Sequence, residues 1–243
     1  PNTKKRVLFK WIDLEFVNNR NLTNYFNVYK NSYDRLNSIA QNFNGEQNWV
    51  DSNNNLIIPE GATNFIDAVL NNETPLTVED NEYKTINTVK ERQDRLTANN
   101  LILGSSFSLN FNSQESIFDE NFYQLRWKLD WVGSVLNQIL NGLNGEEDAE
   151  GNNIFGGVSP SQYVKTELDF IKHWRLGREQ VIAFHAFTGI ALPFGNSNNM
   201  PFSRSFFSGG SNDNRAWKAY KLGPGSSSNI NEFNEANLKI AFN

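Results

Sequence analysis

The stretch from Phe122 to Val132 limits what this chain can fold into more than any other. Its side chains alternate without a slip. Tyr123, Leu125, Trp127, Leu129 and Trp131 fall on one face of an extended strand, and Gln124, Arg126, Lys128 and Asp130 fall on the other. A soluble sheet rarely sets Arg, Lys and Asp in series behind a face of two Trp and two Leu. A strand with lipid on one side and a wet lumen on the other has that pattern by construction.

The same alternation recurs along the chain. Leu101, Leu103, Phe107, Leu109 and Phe111 oppose Gly104, Ser106, Ser108 and Asn110. Val164, Leu168, Phe170 and Trp174 oppose Lys165, Glu167, Asp169 and His173, while Ile182, Phe184 and Ile190 oppose His185 and Gly189 more weakly. Near the start, Leu8, Ile12, Leu14 and Phe16 read as one face, with Asp13 and Glu15 on the other. Strands are therefore expected near 6–17, 99–111, 122–132, 163–174, 180–192 and 236–243. Their connections run long, short, long, short, long. Outer-membrane barrels, with short turns at one end and long loops at the other, have this asymmetry.

The long connections are not featureless. Tyr29, Tyr33, Leu36, Ala40 and Phe43 fall at helical spacing, and Thr77-Val78-Glu79-Asp80 resembles a capping box opening a charged helix toward Arg95. The whole of 18–96 reads as a long structured loop. Val135, Leu136, Ile139 and Leu140 predict a further helix after Gly133. The expected fold class is all-β: an antiparallel transmembrane β-barrel with long, partly helical external loops and one loop, 193–234, inserted into the lumen. Residues 1–243 would form part of one outer-membrane barrel domain without periplasmic repeats. The six strands are fewer than the roughly 8 of the smallest barrels, which leaves a fragment or several copies building one wall. A last strand stopping mid-pattern at Asn243 favours the fragment, and a start at Pro1 without Met or signal peptide reads as a chain processed, trimmed or excerpted from something longer.

Composition removes several function classes. The formal charge of −5, with no basic run, argues against nucleic acid. With no cysteine there is no disulfide or thiol chemistry, and the two histidines leave little for a metal. No window reaches the run of about 18 apolar residues of a membrane helix, a test to which barrel strands are invisible. Asp169 and His173 share a strand face but lack further ligands, and His185 reads as a wall histidine. Asp13 and Glu15 could be imagined as glycosidase carboxylates, yet a hydrated lumen face explains them better. No Gly-x-Ser-x-Gly elbow is present, and Gly223-Pro224-Gly225 lacks the Gly-Lys-Ser/Thr of a phosphate loop. No enzyme, cofactor, metal or small-molecule substrate is expected.

The last long connection carries Phe206-Phe207-Ser208-Gly209-Gly210, Asn214-Arg215-Ala216-Trp217 and Leu222-Gly223-Pro224-Gly225. So many aromatics between glycine hinges have no reason to sit in water. The order of these pieces resembles the lumen-loop signature of the BamA/TamA superfamily of outer-membrane assembly barrels, most closely its TamL-type branch. Two positions depart from it: Asn214 stands where a small aliphatic residue is usual, and Ala216 where glycine is. Arg215 and the aromatic Trp217 are kept. The resemblance implies a 16-stranded barrel in the cell outer membrane that aids insertion or export of other outer-membrane or surface proteins. Its partners would be membrane lipid, client outer-membrane proteins and periplasmic or surface accessory subunits. A BamA-type central insertase or a two-partner secretion transporter shares the loop, and a passive pore or binding barrel is the rival of another class. The resemblance also implies that Arg215 pins the loop through inward acidic residues of later strands. Within the chain, Asp130, Glu167 and Asp169 point inward by parity and could assist. A solvated loop arginine is the competing reading of Arg215.

Overall fold

The alternating stretches pair, in chain order, into one antiparallel meander. The computed structural model describes residues 3–19, 25–43, 49–142, 146–147, 153–197, 199–211, 213–220 and 235–243. Strands β1 (Lys4–Val17), β2 (Asn100–Asn112), β3 (Tyr123–Val132), β4 (Tyr163–Arg175) and β5 (Val181–Pro193) lie side by side. The short β6 (Phe206–Phe207) and β7 (Glu235–Ala236) pair with each other, and β8 (Leu238–Phe242) returns to β5 as the sixth strand of the sheet. Among the described residues, β1 and β8 each pair on one side only, so the sheet is open.

Directly paired residues share a face, so register decides what each side of the sheet carries. Asp130 lies between Ser106 and Lys165, Lys128 between Ser108 and Glu167, and Arg126 between Asn110 and Asp169. These rows form a charged face. On the other side Phe107 pairs with Leu129, Leu109 with Trp127 and Trp127 with Leu168. The apolar side is the one left uncovered: Leu14 is 63% exposed, Trp131 57%, Leu192 56% and Phe242 68%. A contiguous apolar face of this extent is far larger than water tolerates, and hydrocarbon is the solvent it suits.

One bulge corrects the face assignment of β1. Lys10 pairs with Ser106 and Asp13 with Gly104, so three steps of β1 span two of β2. Ahead of this extra residue Leu8 lies on the charged face opposite Ser108, and Val7 and Phe9 carry the apolar one opposite Leu109 and Phe107. Beyond it Leu14 and Phe16 are apolar-side, and Asp13 and Glu15 join the charges. Ser105 Oγ donates 2.6 Å to the Trp11 carbonyl, satisfying a backbone group that the bulge takes out of the ladder.

Residues 18–99 form a compact unit of their own, distinct from the sheet unit. It contains α1 (Tyr25–Val28), α2 (Lys30–Ala40), α3 (Glu60–Leu70) and α4 (Asn81–Thr97). Leu36, Phe65, Ile66, Val69, Ile86 and Val89 close into one core. Helix α3 has no counterpart among the expected elements, although Ala62, Phe65, Ile66 and Val69 follow helical spacing. The charged helix expected toward Arg95 is α4, with Asp80 at its N-cap, but the Thr77–Asp80 box closes the turn before it and gives no side-chain cap to the helix. The Asp80 carboxylate accepts the Thr77 backbone N–H at 2.7 Å and its hydroxyl at 2.9 Å, and α4 begins one residue later. At the neck, Asn19 N–H donates to Asn99 Oδ1 (2.7 Å) and Asn19 Nδ2 to the Ala98 carbonyl (2.9 Å). The connection after β3 opens with α5 (Ser134–Gly142).

Candidate functional site

After β5 the chain turns back over the charged face of the sheet. Gln162, just before β4, holds the turn. Its carbonyl accepts from Phe194 N–H (3.0 Å), its Oε1 from Asn196 N–H (2.8 Å), and its own N–H donates to Ser197 Oγ (2.8 Å). Met200 and Phe206 then bury themselves against Ile102, Val132, Tyr163 and Ala191, forming a small apolar island on an otherwise polar surface. Gly189 makes room for Phe206. A Cβ built there would lie 2.5 Å from the Phe206 ring, so any side chain would displace it. Lys165 Nζ sits 4.2 Å from the centre of the same ring and donates 3.0 Å to the Arg204 carbonyl.

The basic residue that ties this segment to the wall is Arg204. Its guanidinium donates 2.6 Å to Glu15 Oε2 and lies 3.8 Å from Asp13 Oδ2, both brought onto this face by the bulge. A second tie lies further along. Asp213 accepts from Gly209 N–H (2.8 Å) and pairs with Lys239 of β8 at 3.0 Å, and Lys239 also donates 2.8 Å to the Phe207 carbonyl. Burial opposes the charge on Asp213. The hydrogen bonds from Lys239 and from the Gly209 and Asn214 backbone, together with the Lys239 charge, outweigh that and hold the carboxyl below its ordinary pKa.

The motif residues divide around these ties. Phe206 is buried, whereas Phe207 stacks on Tyr220 with ring centres 4.3 Å apart and stays 39% exposed. Gly209 and Gly210 adopt φ of +93° and +101°, a turn that lets Gly210 N–H reach the Trp217 carbonyl at 2.8 Å. Trp217 is 37% exposed, and Ala216 N–H is capped by Asn214 Oδ1 at 3.3 Å. Arg215 is exposed and donates 3.1 Å to the Ser211 carbonyl. It lines an open cavity of about 630 Å³ with His185, Asp213 and Asn243. Gly223, Pro224 and Gly225 lie outside the described residues.

The three carboxylates expected near Arg215 have other neighbours in this structure. Asp130 pairs with Lys128 at 2.7 Å, Glu167 with Lys165 at 3.0 Å, and Asp169 with Arg126 at 2.7 Å. Asp169 also holds His185 Nε2 at 2.9 Å, while His173 stacks on Phe122 at 4.4 Å. Charges on this face thus balance along single strands, as in Lys128–Asp130 and Lys165–Glu167, and across them, as in Arg126–Asp169, which suits a wall bathed in water. Among the described residues, no group of three or more His, Cys, Asp or Glu is placed to hold a metal ion, and no helix is long and apolar enough to cross a membrane. The latter says nothing of strands.

A sheet with an apolar outer side, a charged inner side and a loop seated on the charges has the makings of a barrel wall. The family model described as the Omp85 superfamily domain matches residues 9–237. The chain belongs to the Omp85 superfamily. No curated protein and no solved structure matches it significantly. Omp85 proteins are outer-membrane β-barrels that assemble or secrete other proteins and work among membrane lipids and client chains. Membership supports the BamA/TamA resemblance at the superfamily level. Arg204, Gln162, Lys165, Gly189 and Lys239 are site residues that the motif does not mark. The parity of Lys165 and Gly189 is their only sequence signal.

Proposed function

We propose that this Omp85 chain supplies wall and lumen loop to an outer-membrane assembly or translocation factor of the TamL type, which helps other outer-membrane or surface proteins to insert or be exported. It works without covalent chemistry, cofactor or small-molecule substrate. The observation that carries this reading is the loop 194–220 seated on the charged side of a sheet whose other side is apolar and bare. A channel built only to conduct has little need of a loop tied to its wall at separate points along its length. A barrel that must open laterally and then recover its shape does, because the loop keeps the wall in register while an incoming strand pairs at an edge. The long connections, among them the folded unit 18–99, offer surface for accessory subunits.

Depletion of the full-length protein, followed by quantitative proteomics of outer-membrane and surface fractions, tests the reading. A defined set of client barrels or surface proteins is expected to fall. General loss of all barrels would indicate a central insertase. An unchanged proteome with a steady open conductance in planar bilayers would indicate a passive pore and overturn the proposal.

A further inference from the structure

We propose that Arg204 is the positioning residue that seats the lumen loop, with Asp13 and Glu15 of β1 as its receptor. The inference rests on the reading of the charged face as a lumen wall and adds to it the residues by which the loop is held. Three observations converge on it. The Arg204 guanidinium reaches two carboxylates on a strand far away in sequence, 2.6 Å from Glu15 and 3.8 Å from Asp13. Its backbone carbonyl is held by Lys165 from β4, so both the main chain and the side chain of one residue are fixed to the wall. Two residues on, Phe206 fills the space that Gly189 leaves empty.

The receptor exists because of the bulge. Without the extra residue between Lys10 and Asp13, the parity of the first half of β1 would carry Asp13 and Glu15 to the apolar side, where a carboxylate is costly. With it, both carboxylates stand on the charged face: Glu15 takes the guanidinium directly at 2.6 Å, and Asp13, hydrogen-bonded by Lys10 at 2.5 Å, adds its charge 3.8 Å away. Guanidinium and carboxylate form strong, oriented hydrogen bonds that a lysine cannot fully reproduce. Glu15 keeps 36% of its side chain exposed and Arg204 23%, so the pair can form and part without stranding a charge in a dry interior. Arg215, by contrast, bonds within its own loop. The latch therefore joins β1 to the loop, and the segment carrying Arg215 lies beyond it, held separately by Asp213 and Lys239.

The absence of cysteine in this chain makes the test direct. Met200 is 2% exposed in the loop seat, so Met200→Cys in the full-length protein, with any cysteine outside this segment replaced, reports release of the loop by its rate of maleimide labelling in membrane vesicles. Arg204→Ala is expected to raise that rate about tenfold, as loss of a charged hydrogen bond implies. Arg204→Lys should recover it in part, and the exchanged pair Glu15→Arg with Arg204→Glu should recover most of it. Arg215→Ala should leave it unchanged. Unaltered labelling in Arg204→Ala, or no recovery in the exchanged pair, would overturn the proposal. Should Arg204→Ala fail to fold, judged by heat-modifiable migration, the exchanged pair decides: restored folding and protection support the latch, and continued failure rejects it. Client assembly is measured on the same variants. Protection that follows the latch while no client depends on the protein would refute the proposed function and leave the latch standing.

Discussion

The helical unit 18–99 and the six-stranded sheet sort the same kinds of side chain in opposite ways. In the unit, Leu36, Phe65 and Ile86 are 0% exposed, and charge is turned outward. In the sheet, Trp11 is 77% exposed and Ile240 60%, while the buried and half-buried positions include Asp130, Lys165 and Glu167. A chain with one solvent would not do both. The unit is organised for water all round, and the sheet has the pattern suited to hydrocarbon on one side and water on the other, in keeping with the outer-membrane barrels of the Omp85 superfamily.

Substitutions can break that contrast. The largest effect is expected for Phe65→Ala, which empties the centre of the helical core and costs about 3–5 kcal/mol. Hydrogen exchange should rise across α2–α4 while the strands stay protected. Leu168→Arg places a cation in the middle of the apolar face and should destabilise the wall by about 2–4 kcal/mol, read from denaturant titration of folding into lipid vesicles. Val78→Arg sharpens the comparison. Val78 is 63% exposed against 41% for Leu168, yet the change should stay within about 0.5 kcal/mol in the same titration, because its surroundings are already water.

The smallest effect concerns pH. Hydrogen bonds from the Thr77 backbone, then from its hydroxyl, hold the Asp80 carboxyl below its ordinary value of 3.8. A carboxyl whose folded pKa is depressed contributes fully above its unfolded value and loses that contribution as pH falls through the lower one. Protection of the turn before α4 should therefore be flat from neutral pH down to about 4 and decline only in stronger acid. Decline beginning near pH 6 would reject the assignment.

How much of this is legible in the sequence depends on how local the signal is. Period-two alternation is local, and residue order alone locates the strands and the sidedness of β3 and β4. It fails at Leu8, because a bulge changes parity midway along β1 and leaves no mark in composition. Helix α3 has a readable pattern in Ala62, Phe65, Ile66 and Val69, obscured by the polar character of the surrounding stretch. The loop motif draws attention to Arg215 by resemblance. The contact of Arg204 with Glu15 spans 189 positions, and nothing along the chain ties those two residues together until the sheet has brought β1 across from the last loop. Phe206 reads as an aromatic with no reason to sit in water, but its socket, Gly189, reads only as one more weakly alternating position.

The neck of the helical unit has a consequence for how this protein can vary. Asn19 hydrogen-bonds Asn99 and Ala98, so the chain departs from β1 and rejoins β2 at nearly the same point, with Val17 and Asn100 still paired. Everything between is then a detachable cassette. It can lengthen, shrink or be exchanged without resetting a single register in the sheet, so that changes in this part of the molecule leave the pairing of the strands untouched.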